Sequence, residues 1–323
     1  MKTLIRRIWD APYLLLPLPP LFWALNLLIG RAYAQDLPPV GLTFWRWVGA
    51  SLCLLPFVWR DLVRDWPVLR RSLPLVMGAA ITGFIGYPLL NYIALHSVPA
   101  ATAAMLNSAM PLVTPLIAWP VLHQRPSRHI LMGAPLSLIG VLWIIGKGDW
   151  AILRTLSFGL GELLVLAAVC SFAIYSILLR KKPAGLSANA FLGGMVLSTP
   201  IPMLPAWIWE EALGRSMPFG PMPVALILFI AVFPSLVATL FWNRCVAVFG
   251  PSVTGISFHL VAAYSTVLAL IFLDEPIHAY HLWGIAFILV GVSVGLSENI
   301  GKRRSPAQLT SKTTALDAPQ IDA

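Results

Sequence analysis

The amino-acid sequence predicts an all-α polytopic membrane protein with ten transmembrane helices, arranged as two inverted five-helix repeats. Hydrophobic residues make up 58% of the 323 residues and charged residues only 11%, whereas a soluble domain carries about 25% charged residues. Apolar stretches of about 20 residues recur along the chain, and each can cross a hydrocarbon core of about 30 Å. A series of residues then recurs in the same order about 150 positions later, which indicates a duplicated unit.

The apolar stretches are predicted to be helices, because an open strand would leave backbone N–H and C=O groups unpaired in lipid. The alternating pattern of a barrel strand is absent from them. The predicted spans are 12–30, 40–59, 73–95, 100–122, 129–146, 159–179, 188–208, 223–247, 251–273 and 279–296. The connections between these spans are short, so they leave no room for a soluble domain.

The distribution of basic residues predicts the topology. If the N-terminus is cytoplasmic, sixteen of the 22 lysines and arginines fall on the inner side and four on the outer side. The positive-inside rule therefore predicts a multi-pass protein of the inner (plasma) membrane with both termini in the cytoplasm. The net charge of +9 is explained by this bias, and a nucleic-acid partner is not expected.

The repeat is supported by an ordered series of matches whose offset drifts by only a few residues. The pairs include Trp23 with Phe172, Arg31 with Arg180, Asn91 with Asn243, Gly133 with Gly284 and Gly140 with Gly291. Five helices per unit is an odd number, so the second unit enters the membrane from the opposite side. The predicted organisation is a cytoplasmic tail at 1–11, repeat one at 12–146, an outer linker at 147–158, repeat two at 159–297 and a disordered cytoplasmic tail at 298–323.

Three stretches resemble EamA-type carriers of the drug/metabolite transporter superfamily, and the resemblance covers roughly residues 15–297. The stretches are FWALNLLIGR (22–31) followed by Pro38-Pro39 and FWRW (44–47), GELLVLAAVCSFAIYSILLRKK (161–182) and LDEPIHAYHLWGIAFILVGV (273–292). One departure is Arg125, which stands where the first repeat of that family usually has glutamate. The resemblance therefore does not extend to a shared role for that acid in both halves.

The resemblance implies a carrier with a central cavity lined by the first, third, fourth, sixth, eighth and ninth helices. It also implies alternating access, with export of metabolites, amino acids or drugs as the usual activity. We therefore expect a secondary transporter that exports a small metabolite such as an amino acid across the lipid bilayer. Two alternatives stay open, namely an uptake carrier for a sugar or nucleotide-sugar, and a non-transporting membrane protein such as a sensor or lipid-modifying enzyme.

The predicted cavity lining consists of polar and aromatic residues within the spans, because intramembrane polar groups are functional hypotheses by default. Asn26 lies about one turn from Trp23, and Tyr175 is its repeat mate. The repeat pair of Asn91 and Asn243 either bonds substrate or locks helices together. The predicted substrate-binding residues are Trp23, Asn26, Tyr87, Asn91, Asn107, Tyr175, Asn243 and His259.

Glu162 and His259 are the candidates for coupling to protons or for gating, because titratable groups are scarce within the spans. Glu162 lies in the first turn of the sixth span, where an acid also suits the helix dipole. His259 lies in the middle of the ninth span, where it either forms an interhelical hydrogen bond or lines the cavity as a pH-sensitive group. Arg46, about two turns inside the second span, is expected to extend toward the interface without binding a ligand.

Signatures of catalysis are absent from the sequence, which contains neither a glycine-rich phosphate loop nor helical His/Glu metal-ligand spacing. We therefore expect neither an enzyme nor an ATP-driven pump, and no cofactor or metal. Cys53, Cys170 and Cys245 all fall inside spans, where a thiol behaves as a small hydrophobe. Residues 1–34 also fit a signal peptide, but the recurrence of 22–31 at 172–180 favours a first transmembrane helix instead.

Overall fold

The computed structural model describes residues 12–33, 36–98, 103, 106–123, 125–153, 159–272 and 278–302. The predicted tail at 1–11 and residues 303–323 of the predicted C-terminal tail lie outside these residues. In the part of the chain that the structure describes, all regular secondary structure is helical, as apolar spans in lipid require.

Within the described residues, ten main helical segments are named α1 to α10 in chain order, and shorter helices lie at Trp66–Arg71, Trp150–Leu153 and Leu179–Lys181. The main segments are α1 (Leu18–Ala32, after a turn at Pro12–Leu15), α2 (Pro39–Arg64), α3 (Leu73–Ala94), α4 (Met110–Leu122), α5 (Arg128–Ile145), α6 (Leu160–Leu178), α7 (Ala188–Ala212), α8 (Pro221–Phe249), α9 (Pro251–Ile256 with His259–Phe272) and α10 (Ala279–Lys302). Among the described residues, eight helices are long and apolar enough to cross a membrane, and α4 is a shorter apolar helix. The prediction of an all-α polytopic membrane fold is confirmed.

The helices α4 and α9 are interrupted within the predicted spans at 100–122 and 251–273. In α9, Ser257 and Phe258 form a turn between two helical pieces. In the fourth span, Ser108 belongs to the turn that precedes the helix starting at Met110. Ser108 and Ser257 are 149 positions apart, so the inverted repeat places a turn in each helix.

The helices α3 and α8 each contain a π-helical turn, at Ile81–Gly86 and Ala231–Val237. These turns also stand about 150 positions apart, so they belong to corresponding helices of the two repeats. A π-helical turn disturbs the regular main-chain hydrogen bonds and is frequent at functional sites.

The most extensive contact between two helices joins α5 to α10. A methyl group built on Gly133 would stand 2.5 Å from the carbonyl oxygen of Gly291, and one on Gly140 would stand 2.5 Å from that of Gly284. Only glycine permits so close an approach of two backbones, and small residues are the usual means by which membrane helices pack. We call these four residues and their surroundings the glycine seam.

Candidate functional site

A small cavity lies at the centre of the bundle, between α1, α2, α3, α6 and α8. Its volume is about 40 Å³, whereas pockets for small ligands usually measure roughly 300 to 1,000 Å³. The cavity therefore has room for a few water molecules. The helices that form it differ from those that the resemblance implied, because α2 contributes to the wall and neither α4 nor α9 supplies a lining residue in the described part of the chain.

The structure brings five of the eight predicted binding residues to this cavity. Trp23, Asn26, Tyr87, Asn91 and Tyr175 all line it. They come from three helices and from both repeats, because α1 and α6, the first helices of the two repeats, both contribute side chains to the wall.

The remaining three predicted residues lie outside the lining, and two of them bond to it. The amide nitrogen of Asn107 donates to Asn91 Oδ1 at 2.7 Å, and Asn243 Oδ1 accepts from Tyr175 at 2.5 Å. His259 makes its hydrogen bonds among the described residues to Ser137 and Ser108, which are not part of the cavity lining.

Aromatic rings from both repeats form most of the apolar wall. The ring centroid of Trp23 lies 5.3 Å from that of Phe172 and 5.1 Å from that of Trp242. The ring of Tyr87 lies 4.8 Å from Phe172. These separations are typical of favourable aromatic pairs. The sequence identified Trp23 and Tyr87 but not Trp242, because an aromatic residue in an apolar helix gives no signal of the side it faces.

Two tryptophans bind the carbonyl groups of the π-helical turns. The indole N–H of Trp47 donates to the carbonyl of Phe84 in α3 at 2.6 Å. The indole N–H of Trp23 donates to the carbonyl of Pro234 in α8 at 3.1 Å. The two acceptors are 150 positions apart, so each repeat contributes a π-helical turn whose carbonyl is held by a tryptophan of the wall.

Two tyrosine–asparagine hydrogen bonds flank the cavity toward opposite ends of the bundle. The Tyr92 hydroxyl donates to Asn26 Oδ1 at 3.0 Å, late in α3 and in the second half of α1. The Tyr175 hydroxyl donates to Asn243 Oδ1 at 2.5 Å, late in α6 and α8. We call them the first and the second latch. The first latch lies toward the end where α1 finishes, and the second toward the end where α1 begins, which we call the N-terminal face.

Each latch separates the central cavity from a further pocket. Asn243 lines a pocket of about 240 Å³ at the N-terminal face, together with Arg244 and Lys182. Tyr92 lines a pocket of about 10 Å³ at the opposite face, together with Tyr33 and His96. The pocket beside the second latch is thus larger than the pocket beside the first.

Arg46 occupies a different position from the one that the sequence predicted. Its side chain does not extend to the interface but is buried, with 4% of its surface exposed, and it lines the central cavity. Its Nη1 donates to the hydroxyl of Tyr92 and its Nε to Ser235 Oγ, each at 3.0 Å. The flanking tryptophans supported an interfacial position, but burial of the helix face that carries Arg46 and Trp47 decided otherwise.

His259 is fully buried between three helices rather than on the cavity wall. Its Nε2 lies 2.7 Å from the carbonyl oxygen of Ser108 at the turn before α4. Since a carbonyl only accepts, Nε2 donates, and in the neutral ring Nδ1 accepts a short hydrogen bond from the hydroxyl of Ser137 in α5. His259 therefore joins the interrupted helices α4 and α9 to the helix of the glycine seam.

Glu162 lies in the first turn of α6, where its carboxylate accepts the backbone N–H of Gly159 at 2.8 Å. This is the capping interaction that an acid at the start of a helix makes. Glu162 does not line the central cavity. Within the described residues, no group of three or more His, Cys, Asp or Glu side chains could hold a metal ion.

Two inverted helical units around a central cavity define the class of membrane transporters built from inverted repeats. The chain belongs to the EamA-like transporter family, whose model matches residues 11–146 and 159–296. It is a multi-pass membrane transporter with a small-molecule substrate, and the prediction that it is not an enzyme is confirmed.

Curated relatives cover most of the chain at low identity. An uncharacterized transporter, YyaM, of Bacillus subtilis is 23% identical over 79% of this chain and 83% of its own length. A probable terminal-alkyne amino-acid exporter of Streptantibioticus cattleyicolor is 27% identical over 72% of this chain and 76% of its own. The chain also resembles a protein of known crystal structure, with a TM-score of 0.69 and 20% sequence identity. The match covers 88% of this chain and 97% of the other chain, and it shows the fold.

Proposed function

We propose that the protein exports a small amphipathic metabolite, of the amino-acid class, across the inner membrane by alternating access. The observation that carries the proposal is a central cavity between the repeats with one latch toward each face. A carrier needs a site that opens to one side while it is closed to the other, and two separate closures of similar chemistry meet that need.

The distribution of basic residues indicates which side of the membrane each latch faces. Because the connections at the N-terminal face carry most of the lysines and arginines, that face is assigned to the cytoplasm, with both chain termini on the same side. Breaking the second latch, Tyr175–Asn243, then connects the cavity to the cytoplasmic pocket. Breaking the first latch, Tyr92–Asn26, connects it to the outer side.

The chemistry of the wall supports an amphipathic substrate. Trp23, Tyr87, Phe172 and Trp242 offer apolar ring surface, while Asn26 and Asn91 offer hydrogen-bonding groups. The relative from Streptantibioticus cattleyicolor is a probable terminal-alkyne amino-acid exporter, which supports the amino-acid class for this chain. The cavity must enlarge to admit such a molecule, so the closed cavity represents an occluded arrangement of the carrier.

The test is efflux from liposomes that contain the purified protein and are loaded with radiolabelled leucine, phenylalanine, threonine or glutamate. We expect efflux of at least one of them well above that of protein-free liposomes. Trp23→Phe removes the hydrogen bond to Pro234 and part of the wall, and we expect it to slow efflux about fivefold or more. Trp283→Phe is the matched control, because Trp283 is 63% exposed on α10 and should leave the rate unchanged.

The proposal is wrong if wild-type protein releases none of the four amino acids. Expression in cells tests direction, because an exporter raises the amount of its substrate in the medium. Accumulation of a sugar inside the cells, without efflux of any amino acid, would instead establish an uptake carrier.

A further inference from the structure

The guanidinium of Arg46 is a buried cation whose protein partners are all neutral. It donates to Ser235 and Tyr92, and its Cζ stands 5.3 Å from the centre of the Trp47 ring. An arginine side chain stays protonated in proteins. The wall of the central cavity therefore carries a full positive charge.

The buried carboxylates of the described residues are engaged elsewhere. Glu210 accepts two backbone N–H groups at the start of α2. Asp65 binds Arg64 and the backbone N–H of Ser187, and these bonds hold the pKa of Asp65 well below its usual range. In the part of the chain that the structure describes, the ion pairs are those of Arg64. Arg46 has no acidic partner there.

A buried cation without a counter-ion is strongly unfavourable, and its cost is relieved when an anion binds. Two of the three guanidinium nitrogens of Arg46 are used, and Nη2 has no hydrogen-bond partner among the described residues. The planar fork of a guanidinium matches carboxylate and phosphate groups through two parallel hydrogen bonds. The position of Arg46 in the wall presents this fork to whatever occupies the cavity.

We infer that Arg46 binds the carboxylate of the transported molecule, so that the substrate class is an amino acid or small organic acid with an apolar body. This inference rests on the proposed function and names the part of the substrate that the site recognises. Arg46 is the one cation among the described wall residues, which suits a single negative charge better than a phosphate group with nearly two. The aromatic wall then faces the apolar part of the substrate.

Because Arg46 is bonded to the first latch, a carboxylate that binds Arg46 also affects that latch. Arg46 Nη1 donates to the same Tyr92 hydroxyl that donates to Asn26. A carboxylate that draws the guanidinium toward the cavity competes with the bond to Tyr92. Occupation of the site is thereby linked to the closure at the outer side.

The experiment compares compounds that share a phenyl ring and differ in the polar or charged groups attached to it. Phenylalanine, phenylalaninamide, 3-phenylpropionate, 2-phenylethylamine and phenyl phosphate are tested as competitors of efflux, and as ligands that raise the melting temperature of the purified protein. We expect the two carboxylates to bind at least tenfold more tightly than the amide and the amine, which lack the charge. Phenyl phosphate that binds more tightly than both carboxylates would overturn the assignment to a carboxylate.

Variants of Arg46 test whether its side chain causes the preference for carboxylates over amides. In Arg46→Gln we expect the ratio between phenylalanine and its amide to fall to about one, and in Arg46→Lys to fall partly, because the charge remains without the fork. Arg180→Gln is the matched control, since Arg180 is exposed at the N-terminal face. An unchanged ratio in folded Arg46→Gln would overturn the inference and leave the transport function standing.

The melting-temperature series keeps the inference testable if Arg46→Gln does not fold. A wild-type protein that amides and amines stabilise as well as carboxylates would contradict it without any variant. Failure of the proposed function has a different signature, namely that wild-type protein neither moves nor binds any of the compounds.

Discussion

Two of the regions where the repeats meet, the glycine seam and the wall of the central cavity, have opposite chemistry. In the seam, backbone lies against backbone, and added methyl groups on Gly133 or Gly140 would overlap carbonyl oxygens of α10. In the wall, large rings and single hydrogen bonds hold α1, α3, α6 and α8 together. The seam has no space for adjustment, whereas each latch depends on a single bond between side chains.

The difference teaches where the fold can move. Close backbone packing has few alternative arrangements, because any shift loses many contacts at once. Breaking one neutral hydrogen bond costs only about 0.5–1.5 kcal/mol. We therefore expect the seam to stay closed during transport while the wall rearranges around the substrate.

The largest effect is expected from filling the seam. Gly140→Ala places a methyl group 2.5 Å from the carbonyl oxygen of Gly284, so α5 and α10 must separate. We expect a destabilisation of about 3 kcal/mol, even though alanine is the better helix former. Thermal unfolding of the purified protein in detergent measures it.

Gly78→Ala is the matched control for this change. A methyl group on Gly78 in α3 would make an ordinary contact at 3.6 Å with the side chain of Leu178, and we expect unchanged or slightly higher stability. Equal melting temperatures for the Gly78 and Gly140 variants would show that the seam is not rigid.

An intermediate loss of stability is expected on substitution of His259, which links the glycine seam to α4 and α9. His259→Ala removes one hydrogen bond to the Ser108 carbonyl and one to the Ser137 hydroxyl, and each lost bond costs about 0.5–1.5 kcal/mol. We expect a lower melting temperature, and in the milder His259→Gln a pH profile of transport like that of the wild type. A profile that becomes flat in His259→Gln, and not in Glu162→Gln, would instead assign proton coupling to His259.

The smallest effect on stability is expected for the latches, but loss of either latch should favour one of the two open forms over the other. Tyr175→Phe removes the second latch and Tyr92→Phe the first, and the loss of each latch bond costs about 0.5–1.5 kcal/mol, to which Tyr92→Phe adds the loss of the bond from Arg46. The equilibrium between the two open forms should shift about two- to twelvefold, in opposite directions for the two variants. Thiol labelling of Ala247→Cys at the N-terminal face, on a cysteine-free background, should become faster in Tyr175→Phe and slower in Tyr92→Phe.

Parallel changes in labelling for both tyrosine variants would contradict the opposite roles of the latches. Tyr92→Phe should in addition strengthen binding of carboxylates, because the substrate no longer competes with the Tyr92 hydroxyl for the guanidinium of Arg46. Tyr175→Phe is the control for that second effect, since Tyr175 has no bond to Arg46 among the described residues.

Much of the fold could be predicted because its causes are local. Apolar length sets the spans, and the recurrence of Trp23 as Phe172 and of Gly140 as Gly291 revealed the repeat. The turn in α9 at Ser257 was not predicted, because an apolar run hides an interruption that tertiary contacts satisfy. The rule that polar residues in apolar spans are candidates for function singled out Asn26 and Asn91, and both line the central cavity.

The rest of the site depends on which way each side chain faces, and the sequence of an apolar helix does not indicate this direction. Arg46 was expected at the interface because tryptophans flank it, but Tyr92 and Ser235, far away in sequence, hold it at the cavity. His259 was expected to be cavity-lining or hydrogen-bonded, and the structure places it in hydrogen bonds with Ser108 and Ser137.

The sequence by itself determined that the chain spans a membrane, that a five-helix unit occurs twice, and that the second copy is inverted. These follow from hydropathy, length and the parity of the helix count, which act within one segment or between two similar ones. Only the tertiary structure decided that α5 and α10 form the seam, that the latches pair Tyr92 with Asn26 and Tyr175 with Asn243, and that Arg46 is a buried cation. Those features arise from contacts between distant segments, and their energies depend on burial that no single helix possesses.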